Sequence, residues 1–188
     1  MSSKIWLWAL LGFVVVFFLT LIGSYNGLVS AKTGLDNAYA NVDTDLQRRY
    51  DLIPNLVQTV KGYAKHEKDV LEEVTRLRSQ WGAAQSSDDK VKASNDLEGA
   101  LGRLMVVVEK YPDLKANEGF LRLQDELAGT ENRIAVARMR YNQAVQDYNV
   151  KVQSFPSNLM ASIAGYKPKD VYFKAKDGAQ EPPKVEFN

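Results

Sequence analysis

The run Ile5–Ile22, IWLWALLGFVVVFFLTLI, constrains this chain more than any other feature: it is 18 residues long and carries no charge. At a rise of about 1.5 Å per residue such a helix nearly crosses a hydrocarbon core roughly 30 Å thick. Thirteen of its residues are Leu, Ile, Val or Phe. At about −0.3 to −0.6 kcal/mol each, they contribute on the order of −4 to −8 kcal/mol to insertion, far more than Thr20 and Gly12 oppose. Trp6 and Trp8 stand where an interfacial aromatic belt would lie at one end, and Tyr25 stands at the other. The competing reading is a cleaved signal peptide, with Lys4 as a minimal positive region and Val29-Ser30-Ala31 as a small-residue cleavage site. The apolar run is longer than a usual signal core and that site lies far beyond its end, so the expectation is an anchor. Orientation stays open, because Lys4 on one side and Lys32 on the other leave the count of flanking cations nearly level.

Behind the run the apolar spacing turns helical. Leu28, Ala31, Leu35, Ala38 and Val42 recur at steps of three and four and predict a long first helix. Pro54 lacks an amide donor and crowds the carbonyl of Tyr50, so this helix is expected to kink or restart near Asp51, which could cap the new start. The stripe resumes as Leu56, Val60, Tyr63, Ala64, Val70, Leu71, Val74 and Leu77 and ends near Trp81-Gly82. Ser86 and Asp89 have capping-box spacing and open a second helix with Leu97, Leu101, Leu104, Val108 and Tyr111 on one face, stopped by Pro112-Asp113. A third runs from Phe120 through Leu123, Leu127, Thr130, Ile134, Ala137, Tyr141, Ala144, Tyr148 and Val152 to Phe155, with a further short helix at Asn158–Ile163. Narrow stripes of this length need partners. The expected fold is therefore all-α, an N-terminal transmembrane helix followed by an antiparallel bundle of three to four long helices, the first kinked near Pro54. The expected organisation is an anchor over 1–24, a helical-bundle domain over 25–164 and an extended C-terminal tail over 165–188. Only Val171–Lys174 hints at a strand. The tail's Lys167, Lys169, Lys174 and Lys176 are diluted by Asp170, Asp177, Glu181 and Glu186, so it reads as solvated rather than lipid-bound.

The chain resembles the LemA family of bacterial membrane proteins. The resemblance rests on Arg48-Arg49-Tyr50-Asp51-Leu52-Ile53-Pro54-Asn55-Leu56-Val57, Thr59-Val60-Lys61-Gly62-Tyr63-Ala64 and His66-Glu67. It continues in Glu109-Lys110-Tyr111-Pro112-Asp113-Leu114-Lys115-Ala116-Asn117, Leu123-Gln124-Asp125-Glu126-Leu127, Thr130-Glu131-Asn132-Arg133-Ile134-Ala135, Tyr141-Asn142, Tyr148-Asn149 and the closing Pro183-Lys184-Val185-Glu186-Phe187. It implies a single-pass protein of the bacterial cytoplasmic (inner) membrane with a helical-bundle domain, and no assigned reaction.

Function classes can be sorted by chemistry. The 24 basic and 23 acidic residues are evenly spread, so nothing would concentrate a polyanion and nucleic acid is not expected as a partner. There is no cysteine and one histidine. A ferritin-like di-metal bundle needs a Glu three residues before a His on two helices, whereas Tyr63 precedes His66. No nucleophile elbow or phosphate-cradling glycine loop is present. The reading is a non-enzyme without cofactor or metal. Two polar features stand out. Asp43, Asp45, Arg48, Arg49 and Asp51 cluster before Pro54 and Asn55, and heptad continuation from Val42 carries Asp45 and Arg49 onto the seam, where an ion-pair network would fix register or meet a partner. Tyr141-Asn142 and Tyr148-Asn149 repeat at seven residues and suggest an inter-helix hydrogen-bond ladder or a self-association surface. The expectation is a scaffold or interaction protein that contacts the lipid bilayer and associates with itself or a membrane protein. The alternatives are an accessory subunit of a signalling or proteolytic membrane system, and a metal-binding or enzymatic bundle.

Overall fold

In the computed structural model of the chain, residues 2–174 are described, with side chains from residue 6 onward. Among these residues there are seven helices and no strand: α1 (Ser2–Tyr50), α2 (Ile53–Tyr63), α3 (Lys68–Ala83), α4 (Ser87–Val108), α5 (Pro112–Lys115), α6 (Glu118–Gln153) and α7 (Ser157–Ala164). The part of the C-terminal tail from 175 to 188, with Lys176, Asp177, Glu181, Glu186 and the Pro183–Phe187 motif, lies outside the described residues.

α1 is one helix from Ser2 to Tyr50, so residues 24 and 25 fall in its interior, as does Val29–Ala31. It stops where Pro54 requires it to stop. Asp51 and Leu52 form a turn, and α2 begins at Ile53 with the proline in its first turn, where a missing amide hydrogen costs nothing. Asp51 does not cap α2: the N-cap residue is Leu52, with no side-chain bond. Asp51 instead accepts from Gln47 Nε2 at 2.8 Å, one turn back. The freed end of α1 is capped from elsewhere, because Arg78 Nε donates to the Tyr50 carbonyl at 3.0 Å.

The stripe read across Leu56–Leu77 is interrupted. α2 closes at Tyr63, Ala64 leaves helical geometry at φ −109° and ψ 59°, and α3 restarts at Lys68. Tyr63 is largely exposed, its hydroxyl accepting from Asn117 Nδ2 at 3.0 Å. Beyond α4, Pro112 both stops a helix and opens the single turn α5. The cap at α4 forms as the spacing predicts: the Asp89 amide donates to Ser86 Oγ at 3.0 Å, and the Ser86 hydroxyl in turn donates to Asp89 Oδ2 at 2.6 Å.

The chain divides into two compact units. The first holds α1 to Asn41, and Met139–Asp170. Here α1 and α6 run antiparallel, and the rings of Tyr39 and Tyr141 meet edge to face with centroids 6.0 Å apart. Leu28, Leu35, Val145, Tyr148, Val152 and Ala161 are buried. The second unit holds Val42–Arg138 with the described residues from Val171. Within it α3 and α4 pack antiparallel, as the pairs Glu73–Arg103 and Trp81–Lys90 show. The last turns of α1 face α4 through Asp43–Lys90 and face α6 through Asp45–Arg133. Its core is Val42, Leu46, Tyr50, Ile53, Leu56, Val60, Val74, Trp81, Leu97, Leu104, Phe120 and Ile134.

Candidate interaction site

The second unit encloses charge in its interior. Arg49, in the last turn of α1, is 8% exposed. Its Nη1 lies 3.2 Å from Glu98 Oε2 on α4 and 2.7 Å from Glu131 Oε2 on α6. The same Glu98 oxygen takes Nη2 of Arg138 at 3.3 Å, and Arg138 also reaches Ser94 Oγ at 3.4 Å. Ser94, which is fully buried, shares a 2.8 Å hydrogen bond with the Tyr50 hydroxyl. Two guanidiniums, two carboxylates, a serine and a tyrosine from three helices thus form one charge-balanced cluster. Balance is what makes such burial tolerable, since an unpaired interior charge is far costlier than a compensated one. Nε of Arg49 and Nε of Arg138 are buried without a hydrogen-bond partner. Burial pushes the Tyr50 phenol above its ordinary value, opposed by the Ser94 hydrogen bond. The Tyr50 ring also stands edge-on to Trp81 at 4.9 Å, tying the network to the apolar core.

Arg49, Glu98 and Arg138 form part of the wall of a cleft of about 910 Å³, together with Asn95, Arg103 and Lys174. Among the described residues no group of three or more His, Asp or Glu side chains could hold a metal ion. Glu98, held between two guanidiniums, serves to join helices.

Of the residues singled out before Pro54, the structure brings Arg49 into this cluster and leaves the others around it. Asp45 is half-buried, 3.9 Å from Arg133 Nε. Arg48 is exposed, Asp51 joins Gln47 and lies 3.8 Å from Arg78 Nη2, and Pro54 and Asn55 are exposed on the first turn of α2. Glu98, Glu131, Arg138, Ser94 and Tyr50 were not among the sequence candidates, and no local pattern marks them, because they lie 44 to 49 residues from their partners along the chain in the Tyr50–Ser94 and Arg49–Glu98 contacts.

The repeated Tyr-Asn pairs meet different surroundings. Tyr141 packs on Tyr39, and Asn142 is half-buried beside it. Tyr148 and Asn149 hold the segment that follows α7. The Tyr148 hydroxyl donates to the Lys167 carbonyl at 3.0 Å, and burial raises its pKa. Asn149 donates to the Lys169 carbonyl at 2.6 Å and accepts from the Lys169 amide at 2.8 Å. In the second unit Asn95 does the same work, donating to the Tyr172 carbonyl at 3.2 Å and accepting from the Lys174 amide at 3.1 Å. Phe173 is buried there, with the Arg138 guanidinium 5.3 Å from its ring centre. The described part of the tail is therefore fastened by two asparagines while Lys167, Asp170 and Lys174 stay exposed, and Val171–Lys174 is no strand.

Among the described residues all regular structure is helical, one helix is long and apolar enough to cross a membrane, and a salt-bridged interior follows it in the chain, which is the class these features define. The chain belongs to the LemA family, which it matches over residues 38–187. It is similar to magnetosome protein MamQ 2 of Paramagnetospirillum magneticum, at 29% identity over 90% of this chain and 71% of that protein. It is also similar to magnetosome protein MamQ of Magnetospirillum gryphiswaldense, at 27% identity over the same shares. Protein LemA of Metamycoplasma hominis is 24% identical over 78% of this chain and 67% of its own length.

Proposed function

We propose that the chain is a non-enzymatic interaction protein, tethered by residues 5–22 in the bacterial cytoplasmic membrane and presenting an antiparallel helical bundle that associates with other copies of itself. One observation carries the reading. In the 18-residue apolar window of α1, with mean hydropathy 2.4, no residue is buried inside the chain. Phe13, Val16, Phe18 and Leu19 stand 58–70% exposed. Water would charge about 25 cal/mol for each Å² of that surface, and a bilayer removes the cost. Self-association is supported by apolar side chains left outside the cores, Met139 and Val150 in the first unit and Val106, Leu121 and Val136 in the second. A charge-balanced, largely buried ion cluster suits a rigid binding body better than a reactive centre. An accessory role beside a different membrane protein is the second reading, favoured by the cleft at Arg49, Glu98 and Arg138.

The test of tethering is extraction. Membranes carrying the full chain should retain it through alkaline carbonate and release it to detergent, whereas a chain lacking residues 1–24 should leave with the wash. Release of the full chain by carbonate would refute the anchor.

A further inference from the structure

A second apolar surface lies in the first unit, at the far end of α6. Phe155 follows that helix and is 80% exposed, and α7 beyond it leaves Leu159 at 48% and Ile163 at 80%. From Phe155 to Ala164 the sequence FPSNLMASIA has no charge. These residues do not face open solvent on all sides. Phe155, Pro156 and Leu159 border a shallow recess of about 210 Å³ whose other wall is Phe13, Val16, Phe17, Thr20 and Leu21 of α1. That wall belongs to the apolar run itself.

We infer that Phe155 and α7 form a second membrane contact, a short interfacial helix whose Leu159 and Ile163 enter the lipid beside the spanning segment. The inference rests on the anchor reading above and extends it. Depth agrees with it. Val16 to Leu21 lie within about 9 Å of the Ile22 end of the run at about 1.5 Å per residue, and interfacial helices sink about 5–10 Å below the headgroups. Charge agrees as well. Lys151 precedes the uncharged stretch and Lys167 follows it, both exposed, which places cations at the level of anionic headgroups and none between them. α7 itself is held to the unit on its other face by buried Ser157 and Ala161, with Ser157 Oγ donating to the Lys151 carbonyl at 2.6 Å, so its apolar face is presented rigidly. A second protein chain on this face would have to displace lipid from a surface continuous with the span. The bilayer is already there.

The chain has no cysteine, so one introduced thiol labels uniquely. Full chains carrying Phe155→Cys, Ile163→Cys, Phe17→Cys or Ser79→Cys, each with a nitroxide, are reconstituted in vesicles of phosphatidylcholine and phosphatidylglycerol. Collision with oxygen, which partitions into lipid, is compared with collision with a water-soluble nickel chelate. Positions 155 and 163 are exposed, so the label does not disturb packing. The expected result is oxygen-dominated relaxation at 155, 163 and 17, with a ratio several-fold above that at 79, where nickel dominates. Nickel-dominated relaxation at 155 and 163 with oxygen-dominated relaxation at 17 would overturn the interfacial helix and leave the anchor standing. Nickel dominance at all four would overturn both. Shielding of 155 and 163 from both reagents would mean that protein, rather than lipid, covers them, and would also overturn the inference.

Discussion

Arg49 and Glu98 pair inside the second unit at 3.2 Å, with side chains 9% and 15% exposed. Arg49→Glu would set three carboxylates against Arg138 and should lower unfolding free energy by about 3–5 kcal/mol. Arg48→Glu, one residue earlier on the exposed side, should stay within about 0.5 kcal/mol. Denaturant midpoints of the full chain in detergent, followed by near-ultraviolet circular dichroism, separate the two. Unchanged stability in Arg49→Glu with weakened self-association would make the cluster a contact rather than a structural lock.

The burial of Tyr50 gives the second unit a pH dependence. Burial raises the Tyr50 pKa in the folded state, so the neutral phenol is the form the fold favours. Its contribution is fully present below the unfolded value of about 10 and is lost as pH rises through the higher folded value. Stability should therefore fall from pH 9 to pH 11. Tyr50→Phe should fall less steeply over that interval, after a loss of about 1 kcal/mol at neutral pH from the broken hydrogen bond. Equal slopes in the two proteins would exclude Tyr50 as the titrating group.

Asn149 makes two bonds to the backbone of Lys169. Asn149→Ala should free residues 167–170, seen as faster amide exchange at Lys169 and earlier tryptic cleavage after it. Exchange at Lys174 should stay slow, since Asn95 holds that residue. Asn95→Ala should give the converse pattern. Loss of protection at both sites in either variant would mean that the segment is held as one piece.

The cap at α4 should behave as an ordinary helix start. Ser86→Ala removes the acceptor of the Asp89 amide and should cost about 1 kcal/mol, largely restored by Ser86→Asn. Restoration fails if Ser86 acts through some other contact.

Much of the helical framework was legible because burial follows spacing. Val42, seven residues before Arg49, is fully buried, and Arg49 is buried at the same register. The steps from Phe120 to Val152 describe α6 closely, but the buried residue between Tyr141 and Tyr148 is Val145 and not Ala144. A straight helix drifts about 20° per heptad against a strict seven-residue repeat, so over the three heptads from Phe120 to Tyr141 the drift reaches about 60°, more than half of the roughly 100° between neighbouring residues. Phe155 failed as a core residue because α6 ends at Gln153 and the chain turns before it. The break at Ala64–Glu67 was hidden because apolar residues resume in phase on both sides. Glu98, Glu131 and Arg138 were invisible as a group, since each alone resembles a solvated helix charge. The asparagine fastenings were missed for a related reason: a seven-residue repeat says which face a residue occupies, not what that face meets.

The central claim, a membrane-tethered body that associates with itself, is tested most directly by mass. The full chain of 21.1 kDa is purified in mild detergent and weighed by light scattering corrected for bound detergent, beside a chain that begins at Tyr25. The account predicts a uniform multiple of the single-chain mass for the full chain and a smaller species without the anchor. Single-chain mass in both preparations would contradict it and turn attention to a different membrane partner.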